Sequence, residues 1–172
     1  MKKAHWLLLF PAGAIIILDQ VSKVWVTRVI ASYETVRLIP GLLNLVQVRN
    51  RGMAFGMLNR AGTDWLSYVL IAATLAAVGV IVFWFARLER GSYGAVVGLS
   101  LVLGGAIGNL IDRIRLHEVV DFLDFHVGHY HWPAFNLADS AITVGTLWLA
   151  VYLLFFSHPA TGGKERNDGD TA

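Results

Sequence analysis

Four long apolar stretches alternate with more polar segments along the chain. Each approaches or reaches the ~20 apolar residues that a helix needs to cross a bilayer. We therefore predict an all-α membrane protein with four transmembrane helices in one integral membrane domain, residues 1–156, followed by a disordered polar tail at 157–172. The predicted spans are Ala4–Val26, Trp65–Phe85, Tyr93–Ile111 and Ala134–Phe156.

The first stretch differs from a cleaved signal peptide. Lys2 and Lys3 precede an apolar run, as in a signal peptide, but no small-x-small cleavage site follows that run. The run instead continues through Asp19 to Val26. We interpret it as a retained first span.

The two longer connections between spans differ in pattern. In the first loop, Pro40-Gly41 predicts a turn, and Val46–Arg49 alternates apolar and polar residues as a strand does. The connection from Ile114 to Pro133 mixes apolar and polar residues and is typical of a chain lying along the lipid headgroups. Ordered structure at the membrane interface is therefore expected in the first loop.

Composition agrees with a membrane protein and excludes several functions. Hydrophobic residues make up 56% of the 172 residues, and the mean hydropathy is +0.58. The net charge is only +2 and the basic residues are spread along the chain, so a nucleic-acid partner has no electrostatic support. The absence of cysteine excludes disulfides, a thiol nucleophile and zinc–thiolate sites.

The orientation in the membrane is predicted from basic residues near the span ends. Lys2 and Lys3 at the amino terminus, and Arg87 and Arg90 in a short loop, favour a cytoplasmic location for these segments. A raw count of all basic residues points the other way, but the rule weights short loops near helix ends. Both termini are therefore expected in the cytoplasm.

Charged residues inside apolar helices are the clearest functional signal. Each costs about 2.5–3.5 kcal/mol at the bilayer centre, so each needs a reason. Asp19 and Lys23 are four residues apart on one helix face, which favours an internal salt bridge as one explanation. Asn109, Asp112 and Arg113 close the third predicted helix together.

Two further carboxylates mark the region before the fourth helix. Asn136 and Asp139 have the spacing of a helix capping box, which is one explanation for them. Asp121 lies between apolar residues with no cation next to it in sequence, so burial should raise its pKa. In the predicted orientation, polar groups from distant segments meet near the outer face, where two close carboxylates could share a proton as in an aspartyl protease. These groups are Asp19, Asn50, Asp112, Asp121 and Asp139.

Two alternatives remain open at this point. His126, His129 and His131 follow Asp124 and could bind zinc, although their spacing matches no helical zinc motif. A small proton-coupled transporter would also use membrane carboxylates, but it would place them at the midplane, and no inverted repeat is evident. Glycines at 94, 98, 104 and 108 indicate close helix packing and no chemistry.

Five sequence blocks in order resemble the bacterial lipoprotein signal peptidases, or signal peptidase II, a family of aspartyl peptidases. The resemblance runs from the first predicted helix to the last and leaves out only the tail. The blocks are DQVSK at 19–23, NRGMAFG at 50–56, GGAIGNLIDR at 104–113, VVDF at 119–122 and WPAFNLADS at 132–140.

The resemblance implies a role for each block. It implies that Asp121 and Asp139 are the catalytic pair, without metal or cofactor. It further implies substrate-binding residues Asn50, Asn109, Arg113 and Asn136, and site-shaping residues Asp19, Lys23, Gly52 and Asp112. For the fold, it implies four transmembrane helices with a small extracytoplasmic β-sheet and a short interfacial helix in the first loop.

The resemblance also implies a substrate and a location. The expected reaction is removal of the signal peptide from a diacylglyceryl-modified prolipoprotein, just before the lipidated cysteine, with inhibition by the cyclic peptide globomycin. The expected enzyme is a monomer in the bacterial inner membrane, in contact with membrane lipids and with its active site near the extracytoplasmic face. No nucleic-acid partner is expected.

Overall fold

The computed structural model describes residues 9–32, 34–52, 64–88 and 92–156 of the chain. The predicted tail at 157–172 and residues 53–63 of the first loop lie outside these ranges. The described part of that loop contains strands and no helix, so the short interfacial helix stays a prediction. The elements in chain order are α1 (Phe10–Val29), β1 (Thr35–Ile39), β2 (Leu43–Asn50), α2 (Asp64–Arg87), α3 (Tyr93–Leu116), β3 (Val119–Val127), β4 (Tyr130–His131) and α4 (Leu137–Phe155).

Three helices in the described residues are long and apolar enough to cross a membrane. They are Trp65–Arg87, Tyr93–Leu116 and Leu137–Phe155, with mean hydropathies of 2.6, 1.9 and 1.6. The first predicted span, Ala4–Val26, is described from residue 9 and lies in helix α1 from Phe10 onward, but α1 is not among these three. Its polar residues, Asp19 and Lys23 among them, lower its hydropathy.

Helix α3 lies at the centre of the bundle and contacts the other three helices. Its glycines allow the close approach that the sequence predicted. A Cβ at Gly104 would lie 2.8 Å from the Ala12 carbonyl oxygen of α1, and one at Gly98 would lie 2.6 Å from the Leu149 side chain of α4. The small-residue packing predicted for α3 is therefore confirmed.

The sheet has four antiparallel strands in the order β1-β2-β3-β4. The turn predicted at Pro40-Gly41 joins β1 to β2, and the predicted strand at Val46–Arg49 lies within β2. The interpretation of 114–133 as a chain along the headgroups missed two strands, because β3 pairs with β2 from Val119 to Phe125 and with β4 at its end. The sheet therefore contains two strands from the first loop and two from the connection between α3 and α4, whereas the sequence predicted a sheet in the first loop only.

A small apolar core attaches the sheet to the helices. Val26 and Ile30, at the end of α1, are buried against Leu45 of β2 and Phe122 of β3. The start of α2 is held nearby, because Ser67 Oγ donates a hydrogen bond to the His117 carbonyl oxygen at 2.7 Å. The sheet, the ends of α1 and α3 and the start of α4 consequently meet at one end of the bundle.

Candidate active site

A buried lysine joins polar groups from two helices. Lys23 on α1 is 3% exposed, and its Nζ lies 2.8 Å from Asp19 Oδ2 and 2.9 Å from Asp112 Oδ2. Nζ also donates a hydrogen bond to Asn109 Oδ1 at 3.0 Å. Since an ammonium group has three N–H donors, all of them are used. The predicted Asp19–Lys23 salt bridge is confirmed, and it extends to α3.

The two carboxylates beside Lys23 also bind the surrounding backbone. Asp19 Oδ1 accepts a hydrogen bond from the Ala138 N–H at 3.0 Å, at the start of α4. Asp112 Oδ2 accepts one from the Val120 N–H at 3.2 Å, at the start of β3. These two residues therefore connect α1, α3, β3 and α4, which fits their expected role in shaping the site.

Gln20 completes this junction and was not among the predicted residues. Its Nε2 lies 3.2 Å from Asp19 Oδ2, 2.9 Å from Asp112 Oδ1 and 3.1 Å from the Gly108 carbonyl oxygen. A neutral amide carries no charge penalty in an apolar helix. The only available signal was its position next to Asp19 in the first sequence block.

The start of α4 is organised by Asn136 and Asp139 as a capping box. Asn136 Oδ1 accepts from the Asp139 N–H at 2.9 Å, and Asp139 Oδ2 accepts from the Asn136 N–H at 3.2 Å. The capping explanation is correct but incomplete, because Asp139 Oδ1 also accepts a hydrogen bond from Asn109 Nδ2 at 2.7 Å. One carboxylate oxygen serves the helix terminus and the other faces α3.

Asp121 lies on β3 and is held by two amide groups from other elements. It is 1% exposed. Asn136 Nδ2 donates to Oδ1 at 2.7 Å, and Asn50 Nδ2 donates to Oδ2 at 2.8 Å. Burial raises the pKa of Asp121 to about 6, with a further contribution from the charge of Asp139 and opposition from the two hydrogen bonds.

The end of β2 aligns Asn50 with Asp121. Asn50 Oδ1 accepts a hydrogen bond from the Gly52 N–H at 2.8 Å, which fixes the amide beside the strand. Gly52 has φ of +93°, in the region that glycine adopts readily. A Cβ at this position would also collide with the Leu70 side chain of α2. Gly52 therefore allows the turn that positions Asn50.

Arg113 on α3 differs from the other predicted site residues. Its guanidinium is half-buried and interacts electrostatically with Asp139, Asp121 and Asp112. Within the described residues, however, no hydrogen bond or ion pair is made by this side chain. None of its five guanidinium N–H donors is therefore used by another residue in the described ranges.

All ten predicted site residues lie at the same end of the bundle. Nine of them form one connected set of hydrogen bonds and ion pairs, and Arg113 is linked to the set by charge alone. The ten come from α1, the β2 end, α3, β3 and the α4 start.

The histidines form a separate cluster at the β3–β4 hairpin. His131 Nδ1 lies 2.8 Å from Asp124 Oδ1, and the His126 ring stacks on His131 with centroids 4.8 Å apart. Burial tends to raise the pKa of Asp124, but hydrogen bonds from Asn44 and His131 outweigh it and lower the pKa overall. Asp124 is three positions from Asp121 on one strand, so the two side chains lie on opposite faces. No group of three or more His, Asp or Glu side chains suited to a metal occurs in the described ranges.

The structure brings two carboxylates to the same asparagine. Asp121 and Asp139 come from different elements, contact the same asparagine and interact electrostatically. Two neighbouring carboxyl groups resist ionising together, so one can keep a proton while the other accepts one. Fold and site together define an integral membrane protein with paired acidic groups at one end of a helical bundle.

Comparison with known proteins gives the family. The family model for signal peptidase (SPase) II matches residues 12–155. Two similar proteins are the lipoprotein signal peptidases of Oleidesulfovibrio alaskensis, 45% identical over 88% of this chain and 98% of that protein, and Geobacillus kaustophilus, 44% identical over 89% and 96%. A solved bacterial membrane enzyme has a TM-score of 0.75 and 31% identity, covering 87% of this chain and 94% of its own. The chain belongs to the signal peptidase II family, which makes it a protease.

Proposed function

We propose that this protein is a membrane aspartyl endopeptidase that removes the signal peptide from diacylglyceryl-modified prolipoproteins. The cut falls just before the lipidated cysteine. Membership of the family and the names of its relatives support the lipoprotein substrate. The observation that carries the chemistry is the contact of Asp121 and Asp139 with one buried asparagine, Asn136.

The proposed reaction needs one protonated and one ionised aspartate. Asp121 is suited to hold the proton, because burial raises its pKa to about 6. Ionised Asp139 then takes a proton from water, whose oxygen attacks the scissile carbonyl carbon while Asp121 donates to the carbonyl oxygen. When the tetrahedral intermediate collapses, the C–N bond breaks and the leaving amine receives the proton that Asp139 took. One hydroxyl of the intermediate becomes the product carbonyl and returns its proton to Asp121, which restores the starting state of both residues. No covalent intermediate with the enzyme forms.

The polar residues around the pair divide into two roles in this proposal. Asn50, Asn109 and Asn136 already donate to the carboxylates, so they position Asp121 and Asp139 as well as bordering the substrate. Arg113 donates to no other side chain or carbonyl in the part of the chain that the structure describes, and it is suited to bind a carbonyl oxygen of the substrate backbone. In this proposal Arg113 makes the main contact with the substrate backbone, and the three asparagines contribute to substrate binding less than it does.

In the membrane, the proposed enzyme is a four-span monomer. Helix α1 is the span added to the three apolar helices. Its buried charges are paired, because Lys23 forms ion pairs with Asp19 of α1 and Asp112 of α3. Both termini face the cytoplasm of the bacterial inner membrane, which places the sheet and the acidic pair near the extracytoplasmic face. A substrate whose acyl chains stay in the lipid is then restricted in orientation before its peptide bond reaches the carboxylates.

The substrate proposal is tested with a purified precursor in two forms. We expect the enzyme in detergent–lipid micelles to cleave the diacylglyceryl-modified precursor before the modified cysteine, as read by mass spectrometry of the product. The unlipidated precursor, identical in sequence, should remain uncut. Equal cleavage of both forms, or cleavage at another bond, would contradict the proposal.

Two inhibitors distinguish the proposed chemistry from a metal-dependent one. We expect the chelator EDTA to leave the rate unchanged and globomycin to abolish cleavage. A loss of activity in EDTA that zinc restores would favour the histidine cluster instead.

A further inference from the structure

The three asparagines around the acidic pair each have a defined amide orientation. An amide side chain can present either its oxygen or its NH2 group in a given direction, and its neighbours must decide between the two. A neighbour that can only donate a hydrogen bond settles the choice, because it must face the oxygen. Each of these asparagines has such a neighbour.

For two of them the neighbour is a backbone N–H. The Gly52 N–H faces Asn50 Oδ1 at 2.8 Å, and the Asp139 N–H faces Asn136 Oδ1 at 2.9 Å. The NH2 groups therefore point the other way, and both reach Asp121, at 2.8 and 2.7 Å. Apart from proline, no side-chain substitution at 52 or 139 removes these backbone donors.

For Asn109 the deciding neighbour is a side chain. Lys23 Nζ donates to Asn109 Oδ1 at 3.0 Å, which directs Asn109 Nδ2 to Asp139 Oδ1 at 2.7 Å. Asn136 Nδ2 also faces Asn109 Oδ1, at 3.1 Å, and its two N–H groups are shared with Asp121 Oδ1 and the Val120 carbonyl oxygen, at 2.7 and 3.3 Å. Lys23 donates from a charged group, which makes the stronger hydrogen bond. Lys23 is therefore the stronger determinant of the Asn109 orientation.

We propose that Lys23 is a positioning residue of the peptidase, which acts through Asn109 to hold an N–H donor on Asp139. The inference rests on the proposed catalytic role of Asp121 and Asp139. Without the ammonium, the Asn109 amide can rotate and bring its oxygen against Asp139 Oδ1. Asp139 then loses a donor and faces an acceptor, which disfavours its ionised form.

The first test compares two substitutions on α1. Lys23→Met removes the ammonium, and we expect kcat to fall by about 100-fold, with the acidic limb of the pH–rate profile moved to higher pH. Gln20→Met is the matched control, because Gln20 contacts Asp19 and Asp112 as Lys23 does but touches none of the three asparagines. It should lower the thermal unfolding midpoint and leave the pH–rate profile in place.

The second test asks whether Lys23 acts through Asn109. In an Asn109→Ala background, adding Lys23→Met should lower kcat by less than about threefold, because the two residues act as one unit. An undiminished effect of Lys23→Met in that background would overturn the inference. So would a Lys23→Met enzyme with a normal pH–rate profile and reduced stability alone.

A charge-balanced variant covers the case in which Lys23→Met does not fold. The double variant Lys23→Met/Asp112→Asn removes one positive and one negative charge together, and its reference is the single variant Asp112→Asn. Relative to that reference, we expect the same fall in kcat and the same movement of the acidic limb as for Lys23→Met. The outcome for the acidic pair is separate. If Asp121→Asn and Asp139→Asn still cleave the precursor, the proposed function is wrong. If both are inactive but the effects of Lys23→Met and Asn109→Ala on kcat are independent, only the positioning role of Lys23 is wrong.

Discussion

Asp121 is almost completely buried, where an ionised carboxylate is costly unless it is hydrogen bonded. The protein supplies one N–H to each of its oxygens, from Asn50 and Asn136, yet its pKa still rises to about 6. The hydrogen bonds thus offset only part of the burial cost. A carboxyl group in this state can change protonation near neutral pH, as general acid–base catalysis requires.

The raised pKa of Asp121 predicts a pH-dependent stability. The folded state binds the Asp121 proton more tightly than the unfolded state does, with pKa values of about 6 and 3.8. The resulting stabilisation is complete below about pH 3.8 and is lost as the pH rises through about 6, amounting to about 3 kcal/mol. Asp121→Asn should remove this dependence. Between pH 5 and pH 8 the thermal midpoint of the wild type should therefore fall relative to that of the variant. A pH-independent difference would show that Asp121 has an ordinary pKa.

Gly52 gives a second prediction for a single residue. Its φ of +93° and the nearby Leu70 side chain mean that Gly52→Ala strains the turn and displaces the N–H that holds Asn50. We expect kcat to fall by about 10- to 100-fold. Gly41→Ala is the matched control, since Gly41 has φ of +77°, lies far along the sheet from the acidic pair and has no neighbour within 4 Å of an added methyl group. It should lower stability with kcat unchanged, and equal kcat losses in both variants would contradict the role of Gly52.

At the scale of elements, α3 determines how closely the helices can approach. Gly108 lies against the Asp19 carboxylate, and its carbonyl oxygen accepts from Gln20. The close approach of α1 and α3 is what allows Lys23 to reach both Asp112 and Asn109. Helix packing and site geometry therefore depend on the same glycine.

Substitution of Gly108 tests this dependence. In Gly108→Ala, the added methyl would lie 2.7 Å from Asp19 Oδ2 and 3.3 Å from the Ala138 Cβ, so either the Asp19 carboxylate leaves its hydrogen-bonded position or α1 moves. We expect a loss of about 1–3 kcal/mol in unfolding free energy, together with reduced activity. Gly13→Ala is the control on α1, where an added Cβ has no neighbour within 4 Å, and it should be neutral or slightly stabilising. Equal stability of the two variants would contradict the close contact.

The sequence predicted the helices but missed part of the sheet. The structure brings the candidate site residues together, and their catalytic and binding roles stay predictions. Asp19 and Asp139 stood out because charges in apolar helices are costly. The strand at 119–127 did not, because its partner lies far away in the chain, as in the pairing of Val48 with Asp121. Gln20 was missed because a neutral amide gives no comparable signal, and the amide orientations depend on contacts that no sequence pattern specifies.

At the scale of the whole molecule, polar groups are concentrated at one end of an otherwise apolar bundle. The sheet covers that end and brings Asp121 to the start of α4, where Asp139 lies. In the proposed orientation the site faces away from the cytoplasm.

The absence of native cysteine allows a direct test of this orientation. Single substitutions Lys3→Cys, Ser92→Cys and His129→Cys introduce a thiol before α1, between α2 and α3, and in the β3–β4 turn. We expect a membrane-impermeant maleimide to label His129→Cys in intact spheroplasts and the other two only after lysis. Labelling of Lys3→Cys from outside would contradict the proposed orientation. If His129→Cys is also labelled from outside, α1 does not cross the membrane, and if His129→Cys is protected, the whole protein is inverted.

The central claim is that Asp121 and Asp139 together perform the hydrolysis, and the most direct measurement is cleavage of a lipidated precursor by purified Asp121→Asn and Asp139→Asn enzymes. We expect both to lose at least about 1,000-fold in kcat/KM while they still fold, as judged by circular dichroism and a cooperative thermal transition. Asp124→Asn, on the opposite face of β3, should retain activity. Cleavage near the wild-type rate by either Asp121→Asn or Asp139→Asn would contradict the account.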